Sequence, residues 1–437
     1  MRTSRPELRP ADGVRARLLI LLAVAVALVW LGAPLLGHGI YAEEGGLVVI
    51  EAEQPFAVAP GDNGAEWRIQ HAGASNFRGD GFMQILPDGG PGGGVPFSAT
   101  SPLATYKVAF SSPGTYSLWH RANGPDGGGD SFYARVYEET PGDFWMMIPG
   151  ITSNFDGRWS DRGRLNTSSL GGTTPMTIPI ATPGLYTLEL AQREDGTRVD
   201  TILLDSTGSF GGADPGPAAS GPPAGLYFAA QGGQVIVEAE HFKSRSPGPN
   251  DAYTVETEGG ADGTRNDLFV RSGPNDFGAD TSLPVFGDAP TLSYDVLLGA
   301  TGTYRAWVRT ASNPDGEPIG NDDSVFLRVW KDSPGDFYLV DGGGGWAWRG
   351  TGFQNVTGFT GGRRNLEFLI DDPGLWHIDL AMREDGTDID ALMLDLTGTF
   401  TGGSQLGPPE SAFAIPEPTT LAILGLGLLS VLRRRTR

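Results

Sequence analysis

One long segment of this chain occurs twice. "PGLYTLELAQREDGTRVDTILLDSTGSF" (183–210) aligns without gaps to "PGLWHIDLAMREDGTDIDALMLDLTGTF" (373–400), and more than half of the positions are identical. Earlier stretches pair in the same order. "SSPGTYSLWHRAN" (111–123) matches "GATGTYRAWVRTASN" (299–313), and "GDSFYARVYEETPGDFW" (129–145) matches "DDSVFLRVWKDSPGDFY" (322–338). A duplication on this scale means two copies of one folding unit, each of about 165 residues and large enough for its own core. Within a copy, "GTYSLWHRA", "SFYARVY" and "LYTLELAQ" alternate apolar and polar residues, the period of a half-buried strand. Gly, Pro, Asn and Asp clusters separate these stretches, in a chain with 66 glycines and 33 prolines. The expected fold class is all-β: two tandem antiparallel β-sandwich domains.

The boundaries follow from composition. Residues 1–42 read as an export signal: Arg2, Arg5, Arg9, Arg15 and Arg17 precede the apolar run "LLILLAVAVALVWLGAPLL", with a cut expected after Ala42. Module 1 is placed at 43–210 and module 2 at 227–401. The stretch "GGADPGPAASGPPAG" within 211–226 reads as a linker, and 402–414 as a spacer. Residues 415–437, "IPEPTTLAILGLGLLSVLRRRTR", join a Pro-Glu-Pro triplet, an apolar transmembrane stretch and an arginine cluster. The arginines would stay cytoplasmic, with the modules outside. On Pro416, Glu417, Pro418, Arg433, Arg434 and Arg435, the tail resembles the PEP-CTERM sorting signal. The resemblance implies recognition by an exosortase, transient anchoring in the inner membrane, and sorting to the outer surface or extracellular matrix of a Gram-negative-type bacterium that makes exopolysaccharide.

A net charge of −21 argues against nucleic acid as a partner and favours cations or neutral ligands. The chain has no cysteine, so an exported fold here relies on its core, on bound metal, or on both. Each module begins with a Glu-x-Glu pair: Glu51 and Glu53 in "VVIEAEQPF", Glu238 and Glu240 in "VIVEAEHF". On a strand both glutamates of a pair share one face, roughly 7 Å apart, opposite Val48, Ile50 and Ala52. Like charges so placed need solvent, arginine or a hard cation, and Ca²⁺ with its oxygen ligands suits them. Asp200 and Asp390 recur in apolar strands at the far end of each module, where an unpaired charge is costly. Pairing of first and last strands would bring each to its glutamates. The other reading places the glutamates on a solvated edge, or pairs them with Arg193 and Arg383.

"VIEAE", "GTYSLWHRA" and "REDGTRVDTILL" resemble the carbohydrate-binding modules of families 6 and 35. The resemblance implies a galactose-binding-like jelly roll with a structural calcium, held here by Glu51, Glu53 and Asp200 and by Glu238, Glu240 and Asp390. It also implies a polysaccharide ligand, met by end loops or the concave face. The turn-rich tryptophans Trp145 and Trp159, then Trp346 and Trp348, are candidate stacking platforms. Arg193 and Asp195, with Arg383 and Asp385, are candidate hydroxyl partners from the "REDG" loops. The endings "TRVD" and "TDID" depart from the Asn-Ile-Asp common in family 6, which bears on sugar specificity.

No catalytic pattern emerges. "GGGDSF" (127–132) lacks a recurring base, the five histidines form no shared constellation, and no zinc, nucleophile-elbow or phosphate-loop motif is present. "NPDGEPIGNDD" (313–323) reads as a solvated acidic loop. The sequence therefore points to a surface-sorted, non-catalytic polysaccharide-binding protein. A matrix scaffold without a sugar site is the alternative, and a glycoside hydrolase a more distant one.

Overall fold

The computed structural model describes residues 35–36 and 39–415, except 63, 90–96, 99, 153, 158, 166–172, 249–251, 258–263, 274–288, 313–322 and 356–360. The expected apolar segments at both ends apart from Leu35–Leu36, the Pro416–Pro418 triplet, Arg433–Arg435 and most of the acidic loop lie outside the described residues. Among the described residues there is no helix, and the chain is all-β.

Each copy folds as two facing sheets. In the first, one sheet runs in the order Thr174–Pro175, Arg162–Leu165, Trp145–Met147, Phe132–Tyr137, Gly184–Gln192, Leu103–Phe110, Ile40–Ala42. The opposing sheet runs Gly150–Ile151, Gly114–Gly124, Arg198–Asp205, Phe82–Leu86, Glu66–Gln70, with Leu47–Glu51 also on Arg198–Asp205. The second copy repeats this plan around Thr291–Leu298 and Gly374–Met382 on one side, and Gly302–Ser312 and Thr387–Asp395 on the other. Alternation has the expected cause: Tyr116, Leu118 and Ala122 face inward, as do Ala104, Tyr106 and Val108 from across the sandwich, and all are buried.

The first and last strands pair antiparallel, Ile50 opposite Ile202 and Ile236 opposite Met393. Each last strand carries a β-bulge at its aspartate, so Asp200 falls between Val199 and Thr201, and Asp390 between Ile389 and Ala391, without a partner on the neighbouring strand. At that point the strand also changes neighbour: Glu51 lies opposite Thr201, whereas Met83 lies opposite Val199.

Three boundaries differ from the sequence reading. Ile40–Ala42, which the sequence reading places in the leader, pairs in parallel with Lys107–Ala109. Tyr41 is fully buried, and its hydroxyl donates to the carbonyls of Glu51 and Gln54 at 3.0 Å each. Tyr227–Ala229 does the same job in module 2. Gly39 fits against Phe56 so closely that a Cβ would lie 2.5 Å from the Phe56 Cα. Intact-mass analysis of the exported, folded protein is expected to place its N-terminus at or before Gly39. A folded product starting at Glu43 would contradict this.

The segments 211–226 and 402–414 are not loose connections either. Ser220 and Ser411 bond to the backbone of the first strand of their own module: Ser220 N to Val49 O at 2.9 Å, and Ser411 N to Ile236 O at 2.9 Å. Their hydroxyls accept from Val49 N and Ile236 N at 3.0 Å. Each module thus ends in a strap that crosses back over its outer sheet, and Phe413–Ala414 pairs with Tyr227–Phe228. Proline and glycine gave these segments the composition of a linker, but their hydrogen bonds are fixed.

Candidate functional site

The bulge re-aims Asp200 towards the end of the first strand, where Glu51 and Glu53 project from the outer face. All three are buried, which excludes a solvated edge. Asp200 Oδ1 accepts from Arg78 N at 2.7 Å, and its Oδ2 is ion-paired with Arg121. Glu51 meets Arg78 at 3.0 Å and accepts from the Thr201 hydroxyl at 3.2 Å. Glu53 Oε1 accepts from Asp80 N at 3.2 Å, while its Oε2 is buried with no hydrogen-bond partner. The strap closes the site, with Asp214 on Arg121 at 2.9 Å.

Module 2 repeats the arrangement. Asp390 accepts from Arg265 N at 3.0 Å and pairs with Arg309 at 2.7 Å. Glu238 pairs with Arg265 at 2.7 Å, and Glu240 accepts from Asn266. Glu238 Oε2 and Glu240 Oε2 are again buried without a partner. Tyr106 and Tyr294 hold the Ala52 and Ala239 carbonyls between the paired glutamates, at 2.6 and 2.7 Å.

Burial dominates the electrostatics here. It pushes Glu51 up to about 7 against the opposing pull of Arg78, and Glu240 up to about 7 against His241. Glu53 and Glu238 rise well above the carboxylate range through burial first and the neighbouring glutamate second. Among the described residues no three acidic or histidine side chains converge as a ready metal site, and positive charge comes from the arginines. The donor chemistry nevertheless fits a hard cation: carboxylate oxygens, one orphaned in module 1 and two in module 2, in sites short of positive charge.

The glutamates thus pair with Arg78 and Arg265, and the aspartates with Arg121 and Arg309; Arg193 and Arg383 pair with neither. A signal for the four partners exists in the sequence. "RGD" (78–80) and "RND" (265–267) follow their glutamates at equal spacing, and "WHR" and "WVR" align in the duplication.

The proposed sugar contacts fare differently. Trp145 is buried in the first core, and Trp348 packs in a closed cluster with Trp307, Ile236 and Met393. Trp159 and Trp348 both meet a phenylalanine edge-on, Phe210 at 5.0 Å and Phe400 at 5.5 Å, beneath the straps. Trp346 is half-buried against Phe269 at 5.7 Å, under Arg309. Trp145 and Trp348 are thus buried, whereas Trp159 and Trp346 keep part of their surface exposed. Arg193 and Arg383 are engaged locally: Arg383 donates to Ser324 Oγ at 2.7 Å and pairs with Glu384, and Arg193 binds Ser131 and Glu194 likewise. Asp385 is buried and Asp195 half-buried in the same loops. These loops lock onto the "DS" strand starts instead of presenting hydroxyl partners.

A different constellation recurs on the outer face of the other sheet. In module 2, Asp379 Oδ2 accepts from Arg328 Nε at 2.8 Å and Trp330 Nε1 at 2.7 Å, and Ser293 donates to its Oδ1 at 2.7 Å. His377 lies against Trp330 at 4.4 Å and bonds Asp295 at 2.7 Å. In module 1, Glu189 accepts from Arg135 Nε at 2.7 Å and the Tyr137 hydroxyl at 2.6 Å. Strand register puts the two sets in equivalent places: Arg135 opposite Glu189, Arg328 opposite Asp379. Trp330 and Tyr137 are half-exposed.

The PEP-CTERM protein-sorting motif matches residues 414–435, which indicates export and surface sorting in bacteria. No curated protein matches the chain. Solved structures resemble it at low identity. An isomalto-dextranase of Arthrobacter globiformis T6, complexed with panose, is 13% identical over 68% of this chain and 35% of its own, at a TM-score of 0.26. A Paenibacillus xanthan lyase is 13% identical over 79% of this chain and 26% of its own, at 0.21. The tandem CBM22 domains of Xyn10C from Paenibacillus barcinonensis are 9% identical over 83% of this chain and 100% of theirs, at 0.21. The chain spans about a third of the dextranase and a quarter of the lyase.

Proposed function

We propose that this exported protein binds polysaccharide at the cell surface through the outer faces of its two sandwiches, without catalysis. The duplicated triad of arginine, carboxylate and aromatic ring supports this reading: Arg135, Glu189 and Tyr137, then Arg328, Asp379 and Trp330. A sugar ring offers a C–H face to an aromatic and hydroxyls to a donor–acceptor pair, and a pre-paired arginine and carboxylate supply both with little reorganisation. The likeness to modules of families 6 and 35 belongs to the same proposal. So does exosortase processing of the tail, with membrane anchoring before it.

Calcium enters as a structural ion. Glu51, Glu53 and Asp200 would hold one, and Glu238, Glu240 and Asp390 another. Its contribution is positive charge at the junction of first and last strands, shared with the arginines.

Affinity electrophoresis through neutral and acidic polysaccharides tests the ligand reading. The wild type is expected to be retarded by at least one. Trp330→Ala with Tyr137→Ala is expected to weaken that binding by about 2 kcal/mol, roughly thirtyfold, while a cooperative melt shows that both sandwiches stay folded. The scaffold alternative has one observation in its favour: Asp379 is fully satisfied within the protein. Wild-type mobility unaffected by every polymer would favour it.

A further inference from the structure

We propose that the two sandwiches dock into one rigid body through a built, unsymmetrical interface, and are not beads on a flexible tether. The interface joins two exposed sheet edges: Glu66–Gln70 ends one sheet of module 1, and Ala252–Thr257 ends its counterpart in module 2. The strands lie side by side, and Ile69 N donates to Thr257 Oγ1 at 3.1 Å. Each edge covers the other, as an edge strand requires.

Around this seam the contacts are specific. Phe56 stacks on His241 with centroids 4.2 Å apart and planes 12° apart, and the Phe56 carbonyl bonds His241 Nε2 at 2.8 Å. Phe56 also meets Phe413 of the second strap at 5.8 Å. Arg245, almost fully buried, is ion-paired with Asp80 and donates to the Tyr253 carbonyl. His71 bonds Glu256 at 3.2 Å and the Asp80 carbonyl at 2.7 Å.

The duplication itself shows that these residues serve the contact. Strand register makes Arg245 the equivalent of Val58, since Arg245 lies opposite Leu292 and Val58 opposite Ala104. Module 1 therefore keeps an aliphatic residue where module 2 buries an arginine. One position C-terminal to each Glu-x-Glu stand Gln54 and His241, and two further on stand Phe56 and Lys243. Both copies contribute the equivalent edge strand, yet the residues at equivalent positions of the seam differ, so the contact is built unequally from one shared surface. The docking also adjoins both acid clusters: the Asp80 amide donates to Glu53, and His241 follows Glu240. Docking rests on these contacts alone and is independent of any sugar or calcium.

Calorimetry and solution scattering on the exported chain test it. The wild type is expected to melt in one transition whose van't Hoff and calorimetric enthalpies agree. Arg245→Val and Phe56→Lys each install the residue that the other copy uses in the same frame, so both variants keep a folded module. Combined, they are expected to split the melt into two transitions, with the van't Hoff enthalpy falling to about half, and to raise the radius of gyration. Two independent transitions in the wild type would overturn the proposal. So would a variant that keeps one transition and an unchanged radius.

Discussion

Methionine in place of Arg309 is expected to destabilise the protein by about 3–5 kcal/mol, a melting temperature lower by roughly 6–20 °C. Arg309 and Asp390 are both almost completely buried, 2.7 Å apart. Burial already raises the Asp390 carboxyl, and Arg309 is the largest influence opposing it. Without the guanidinium the aspartate must either stay charged beside Glu238 and Glu240 or take up a proton. Methionine fills similar volume, so the loss reports charge and not a cavity. Arg309→Met combined with Asp390→Leu is expected to recover most of it, because an apolar pair needs no neutralisation. Denaturant unfolding measures both, and a cost below about 1 kcal/mol for the single variant would show that the pair is not the clasp described here.

Calcium is expected to have the second largest effect. At a free concentration a hundredfold above its dissociation constant, a site that exists only in the folded state adds about 2.7 kcal/mol. For modules of this size that is roughly 5–10 °C. Protons compete with the ion, and the sign follows from the raised carboxyls. With chelator, Glu51 and Glu240 bind protons more tightly folded than unfolded, so the stability they contribute is fully present below about pH 4.5 and is lost as pH rises through about 7. Calcium is therefore expected to act strongly at pH 7 and hardly at pH 5. Glu53→Gln with Glu240→Gln should abolish the response. Identical melting in calcium and in chelator at pH 7 would remove the ion from the proposal and leave the arginines as sole neutralisers.

The duplication and its two-residue period were enough to read both sandwiches, the pairing of first and last strands, and the gathering of Glu51, Glu53 and Asp200. The arginines recur in the duplication, but recurrence alone does not say what they meet, because Arg121 reaches Asp200 only through a bulge and a strand register. The tryptophans misled for a physical reason. Glycine beside tryptophan suggested exposed turns, whereas glycines of the straps pass close over the rings from above: a Cβ on Gly216 would lie 2.7 Å from the Trp159 ring, and one on Gly407 2.9 Å from Trp348. The straps misled likewise, since their small residues permit close passage over an aromatic sheet face. The triad of Arg328, Trp330 and Asp379 was hidden because its members looked like ordinary polar positions of alternating strands.

The second strap has a mechanical consequence. Its last strand, Phe413–Ala414, ends where the sorting motif at 414–435 begins. Tension drawn along the tail would reach Ser411, Phe413 and Ala414 before any other part of the protein. Those residues are stitched to Ile236, Tyr227 and Phe228, in the first strands of the same module. A tail still attached would thus be fastened to the opening of its own module's chain, and a pull on it would be spread across the sandwich instead of peeling its end away.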